Sequence, residues 1–406
     1  MQQLNATLRT LTQQALVLEP TRSRRQPPDF DLIRSYTASV YNVICAGLKC
    51  GCRTTHGINL RLEIIKKYSS NESLPPLRVA LSYSSRLAAQ VGAPWGVETV
   101  DVHPFQVQAT VPTLKEAQPS GKKAAKRVMF GSVTIRTSAS ATATAMEEPA
   151  NSPNLVHIQN LCQAICSTKS ACMGACLGYL EDETTKQRLS LHRPHKSFKT
   201  QETTSILSLG SVLASNAIGH RRFSAGHRLR LAVLLSTNLL QLYQTPWLAD
   251  TWDHNDIAFL DGIGDDSLKD PFVSCNINHV NDSSPADNGI PVPAWEDMVL
   301  NRSLFALGIL LIELCLGKPF EELRDGAMAG KGSVRAASDF AVANQLLDEV
   351  MNEFGDRYAD AVRRCIRCAF DTRKIDLEDG QFRGAVYEGV VAPLEENLRD
   401  FTGLGV

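Results

Sequence analysis

From residue 29 onward, stretches with helical periodicity alternate with shorter stretches that have the two-residue period of a strand. "DFDLIRSYTASVYNVICAGL" (Asp29–Leu48) repeats apolar side chains every three or four positions. It opens on Asp29 or Asp31 and closes near Gly47, which predicts a capped amphipathic helix. "GINLRLEII" and "PLRVALSYS" (Pro76–Ser84) read as half-buried strands. "NLVHIQNLCQAICS" (Asn154–Ser167) predicts an amphipathic helix, and "ACLGYLEDETTKQRLSLHRP" predicts two strands around a polar turn at Glu181–Lys186. "TTSILSLGSVLAS" (Thr203–Ser215) reads as a short helix. Ser224–Gln244 predicts a strong helix with Ser224 as its cap, and Thr245–Asn301 reads as loop. Arg302–Leu316 is apolar nearly all round, which predicts a helix buried in the middle of a helical domain. Three more helices are expected at Ser338–Phe354, Tyr358–Ala369 and Gly380–Phe401, with Pro393 interrupting the last.

Strands thus gather in the first half and helices in the second. The expected fold class is α+β, with a smaller mixed N-terminal lobe (29–202) followed by a mainly helical C-terminal lobe (203–402). Residues 1–28 are polar and read as a disordered lead-in. Residues 113–153 are rich in Ala, Ser, Thr, Lys and Pro and hold few large apolar side chains, so they read as a mobile insertion.

Charge changes this picture little. Lys plus Arg number 42 and Asp plus Glu 43, a balance that gives no general pull toward nucleic acid or acidic membranes. The basic run Lys122–Arg127 reads as a solvated loop, with nuclear import as its functional alternative. No signal peptide is visible at the start, and the longest apolar run, Leu304–Leu316, is too short to span a bilayer and contains Glu313. A cytoplasmic protein without a membrane span is therefore the expectation.

The eleven cysteines read as reduced packing residues. Cys50, Cys52 and His56 do not match a standard zinc spacing, so no metal is assigned to them. Cys162/Cys166 and Cys172/Cys176 are spaced to share a helix face, and Cys365 and Cys368 fit an amphipathic helix. Trp247 and Trp252 read as packing anchors, and a buried Glu313 would need a basic partner, for which Arg364 or Arg367 is the expectation.

Several strings carry a resemblance to the protein kinases. "LFALGILLIELCLGKPF" resembles the buried helix after the A-P-E segment. "DHNDIAFLDG" resembles the segment after the catalytic H-R-D, and "RFSAGHRLRLAVLLSTNLLQLY" resembles the long helix before it. The order of "CGCRTTHGINLRLE", "CLGYLED", "LRLAVLLSTNLLQLYQTPWL" and "RRCIRCAFD" is similar, more closely, to a fungal family of kinase-like domains of unknown function. That family often sits behind HeLo-type prion-inhibition domains; the first thirty residues here are too short to form one. The resemblance spans roughly Asp31–Leu398 and implies a protein-kinase-like two-lobed fold.

The parts that perform phosphoryl transfer do not match. There is no G-x-G-x-x-G, "VALSY" carries no lysine, and "DPFVSC" lacks the glycine of D-F-G. Ungapped alignment puts Thr251 at the position of the general base and Asp256 at that of the metal-binding asparagine. Loss of the base alone costs about 10²–10⁴ in rate. Asp250, one residue away, is the candidate substitute, and with Asp253, Asp256, Asp261, Asp265 and Asp266 it forms an acidic stretch that reads as solvated loop or as a Mg²⁺ site. The sequence therefore points to a non-catalytic pseudokinase-like domain that binds an unidentified protein partner. It needs no cofactor, expects no nucleic acid, and has a setting in fungal signalling. The alternative is an atypical Mg-ATP-dependent kinase using the acidic residues of the 250–261 loop.

Overall fold

The computed structural model describes residues 27–48, 56–66, 74–83, 97–104, 155–167, 174–194, 205–215, 223–261, 270–276, 299–328 and 339–403. The chain divides into two units, Met1–Phe105 with Val156–Val406, and Gln106–Leu155. The elements below lie in the first. The predicted lead-in 1–28 falls almost wholly outside the described residues, and the predicted insertion 113–153, the basic run Lys122–Arg127 and Cys50 and Cys52 fall entirely outside them.

Helix α1 (Phe30–Gly47) begins where the Asp29 carboxylate accepts the Leu32 N–H at 3.1 Å. Its buried stripe runs through Ile33, Tyr36, Val40 and Ile44. Among the described residues, eight strands form one antiparallel sheet: β1 (His56–Arg61), β2 (Leu77–Tyr83), β3 (Glu98–Pro104), β4 (Cys176–Glu181), β5 (Arg188–His192), β6 (Ser205–Ser208), β7 (Ile257–Asp261) and β8 (Pro271–Asn276). Their order is β4-β5-β3-β2-β1-β8-β7-β6. The strand β8, from the second half of the chain, pairs with β1 through Ile58↔Cys275 and Leu60↔Val273, so both halves share the sheet. The central strands are largely buried, and the polar side chains Asn59, Ser82 and Ser274 pair with one another. Asn59 Nδ2 donates to Ala80 O and Ser82 Oγ, and Ser274 Oγ donates to Asn59 Oδ1 at 2.7 Å. Arg78 clasps Asp101 across β2 and β3 with two bonds of 2.7 and 2.9 Å.

The helices are α2 (Leu161–Ser167), α3 (Leu209–Ser215), α4 (Ala225–Leu242), α5 (Arg302–Leu316), α6 (Phe320–Met328), α7 (Asp339–Gln345), α8 (Leu347–Arg367), α9 (Gly380–Val386) and α10 (Ala392–Thr402). Helix α5 starts where Asn301 accepts the Leu304 N–H, and it lies in the core as its all-round apolar pattern predicts, with Leu307, Leu310, Leu311, Ile312 and Leu314 buried. Tyr358 on α8 donates its hydroxyl to Leu311 O at 2.8 Å. The two helices cross closely at Gly308, where a Cβ would stand 2.6 Å from Ile366 Cδ1. Arg228 on α4 donates to the carbonyls of Leu314 and Cys315, which serves the C-terminal end of α5. Among the described residues no single helix is long and apolar enough to cross a membrane.

Several expectations are corrected. Thr203–Ser215 is not all helix: Ser205–Ser208 pairs with β7 before α3 begins. The Thr245–Asn301 stretch is not all loop, since β7 and β8 arise within it. In both places the strands are only four to six residues long, too short for a period to show. The helix expected at Asn154–Ser167 is confined to α2. Residues ahead of it lie along β4, with Ile158 N–H donating to Tyr179 O and Tyr179 N–H to Val156 O. Cys176 sits on β4 rather than on a helix with Cys172. The helix expected at Ser338–Phe354 breaks at Leu346, and the boundary expected between Phe354 and Tyr358 falls at Gly355, whose non-helical backbone (φ 83°, ψ 177°) kinks α8 there. The interruption at Pro393 takes the form of a π-turn at Tyr387–Val391, in which the Ala392 N–H reaches back to Tyr387 O. A proline ring clashes with the carbonyl four residues earlier, and the wider turn relieves that clash.

Candidate functional site

The segment Trp247–Asp256, which leads from α4 into β7, is tied down at three points. Trp247 is buried, donates Nε1–H to Thr37 O on α1 at 2.7 Å and meets Tyr41 edge-on with ring centroids 5.2 Å apart. Trp252 is buried and donates to Ser303 O at the start of α5. Both tryptophans are therefore the anchors that the sequence suggests. The third tie is His254, whose Nδ1–H donates to Glu313 Oε1 at 2.7 Å.

Glu313 is 1% exposed on α5. A carboxylate so placed needs partners, and its Oε1 finds two, His254 and the backbone N–H of Phe320 at 2.8 Å. The expected partners Arg364 and Arg367 are engaged elsewhere: Arg364 holds Asp360 at 2.8 Å and Arg367 donates to Asn344 Oδ1. This corrects the sequence expectation. The hydrogen bond to Glu313 raises the His254 pKa, and burial pushes the Glu313 carboxyl up.

The histidine ring is also packed in place. Gly210 of α3 donates its N–H to His254 O at 3.2 Å, and a Cβ at position 210 would stand 2.4 Å from His254 Cδ2. The ring is held by Glu313 and cannot swing aside freely. Gly210→Ala is therefore expected to destabilise the fold by about 1–3 kcal/mol, the usual range for overpacking. A urea-denaturation midpoint compared with wild type checks this.

His254 and Glu313 stand at one end of a cleft of about 260 Å³. Its apolar wall includes Val299, Phe305, Ala306, Ile309, Leu310 and Phe320, and Thr251, Asp253, Arg302, Glu321 and Asp339 complete the polar lining. Glu321, in the first turn of α6, brings a second carboxylate to His254 and Glu313, and one donor atom from each of the three lies within 4.8 Å of the others.

The kinase-aligned positions are not assembled around this cleft. Thr251 is exposed and lines it, whereas Asp250 and Asp256 do not. Asp256 Oδ2 accepts the Asp253 N–H at 2.9 Å, and burial raises its pKa. Asp253 Oδ1 in turn accepts the Asn255 N–H. These are turn contacts within the loop. The side chain of Asp261 and all of Asp265 and Asp266 lie outside the described residues. "VALSY" supplies the buried Val79, Ala80 and Leu81 of β2. "DPFVSC" enters β8, where Asp270 faces Arg61 at 3.7 Å and Phe272 is buried. Sequence reasoning missed the pairing of His254 and the part of Glu321. The one available signal was the carboxylate within an apolar helix.

No curated protein matches the chain. Among solved structures, a chain of the complex of Neurospora crassa PAN2 (WD40-CS1) with PAN3 (pseudokinase and C-term) is similar at 8% identity. The match covers 91% of this chain and 72% of that chain with a TM-score of 0.28. A likeness at that score carries no argument about the fold. The family comparison is the one that places the chain: a match over residues 29–401 makes it a member of the family described as "Domain of unknown function (DUF7580)".

Proposed function

We propose that the chain is a kinase-like domain without phosphotransfer chemistry that works by binding a protein partner. The division into a mixed lobe and a helical lobe near residue 203 belongs to this proposal. So does a cytoplasmic setting in signalling, with fungal self/non-self recognition as the context that the sequence resemblance suggests. What carries the reading is the use of the loop Trp247–Asp256. Its indoles and imidazole are bound to α1 and α5, and the Asp256 carboxylate closes a turn of its own loop. A loop that transfers phosphate needs a free carboxylate base and metal ligands facing the nucleotide. Here Thr251 stands at the base position, and no lysine among the described residues lines the cleft.

Thermal denaturation with Mg-ATP tests the reading. Nucleotide at a hundred times its Kd would stabilise the native state by about 2.7 kcal/mol. The expected result is an unchanged melting temperature in millimolar Mg-ATP. A rise that Asp256→Ala abolishes would establish the phosphotransferase alternative instead.

A further inference from the structure

The buried carboxylate of Glu313 is only half satisfied. Oε1 accepts two hydrogen bonds, whereas Oε2 is fully buried with no hydrogen-bond partner among the described residues. A bare carboxylate oxygen in a core is costly, and each such group calls for a ligand. Glu313 stands beside the His254 ring and the Glu321 carboxylate, and one donor atom from each of the three lies within 4.8 Å of the others.

We propose that His254, Glu313 and Glu321 bind a first-row divalent cation, with Zn²⁺ as the best-suited ion. Metal–ligand distances of about 2.0–2.2 Å place the donors of a tetrahedral set about 3.4 Å apart, so the His254–Glu313 pair, hydrogen-bonded at 2.7 Å, opens slightly as exposed Glu321 moves inward. One imidazole with two carboxylates suits zinc, whereas Mg²⁺ and Ca²⁺ favour all-oxygen sets. Two carboxylates and a neutral imidazole balance the charge of a dication. On binding, the His254 proton that faces Glu313 leaves to solvent and the ring nitrogen becomes a donor to the metal. Three protein ligands leave a fourth position, and the adjoining cleft of about 260 Å³ has room for water or a partner's side chain there. The inference goes beyond the partner-binding reading and does not depend on it.

The test uses the full chain, stripped with chelator and titrated with Co²⁺, then with Zn²⁺ in competition. The expected result is uptake of one equivalent of Co²⁺ with visible d–d absorption and no thiolate charge-transfer band. Zn²⁺ displaces it and raises the melting temperature. Glu321→Gln weakens binding at least tenfold. Glu322→Gln, an exposed neighbour in the same helical turn, leaves binding unchanged. Glu321 is exposed, so its substitution tests the site without disturbing the core. Absence of uptake, a thiolate band from the cysteines, or uptake indifferent to Glu321→Gln would overturn the proposal. The Mg-ATP result bears on none of these readouts.

Discussion

Trp247→Ala is expected to cost about 3–5 kcal/mol of stability, the range for truncating a buried tryptophan. The indole is 2% exposed, stacks edge-on against Tyr41 and donates to Thr37 O, so it fastens the loop to α1 across 210 residues of sequence. A typical domain has about 5–15 kcal/mol in total, and the variant should lose much of that. Trp247→Phe keeps most of the apolar volume and loses the hydrogen bond, so a smaller cost of about 1–3 kcal/mol is expected. Circular dichroism during urea denaturation orders the three proteins. Equal midpoints would show that the loop is not held by this contact.

The second large effect is expected at His254. In chelator, His254→Ala leaves Glu313 buried with the Phe320 N–H as its one remaining partner among the described residues. Charge-assisted hydrogen bonds contribute about 1.5–3 kcal/mol and breaking a buried pair costs about 3–5, so a loss near ~3 kcal/mol is expected. Glu313→Gln removes the charge and keeps an acceptor for the Phe320 N–H, and its cost should be about 1 kcal/mol.

These two residues also mark the limit of what the chain discloses as a string. The helix Arg302–Leu316 appears with the predicted ends because fifteen residues of apolar pattern, with Asn301 ahead of them, leave no competing period. Ser224 caps α4 as expected, since a hydroxyl just ahead of an apolar run has one favoured use. The strand β7 is hidden because a run of five residues buried on both faces carries no alternation, and the four residues of β6 are too few to show a period. At the site, the need of Glu313 for a partner was legible from its place in an apolar helix. Which partner was not, because His254 lies 59 residues away and the Phe320 donor is a backbone group. Glu321 was hidden among the acidic residues that favour any first helical turn.

The central claim is that the loop resembling a catalytic loop serves as a clamp on the buried helix. A double-mutant cycle over His254→Ala and Glu313→Gln, measured by urea denaturation in chelator, tests it most directly. A clamp predicts that the double variant is less destabilised than the sum of the single ones by about 1–3 kcal/mol, since the neutral Gln no longer needs the histidine. Costs that add within about 0.5 kcal/mol would contradict it.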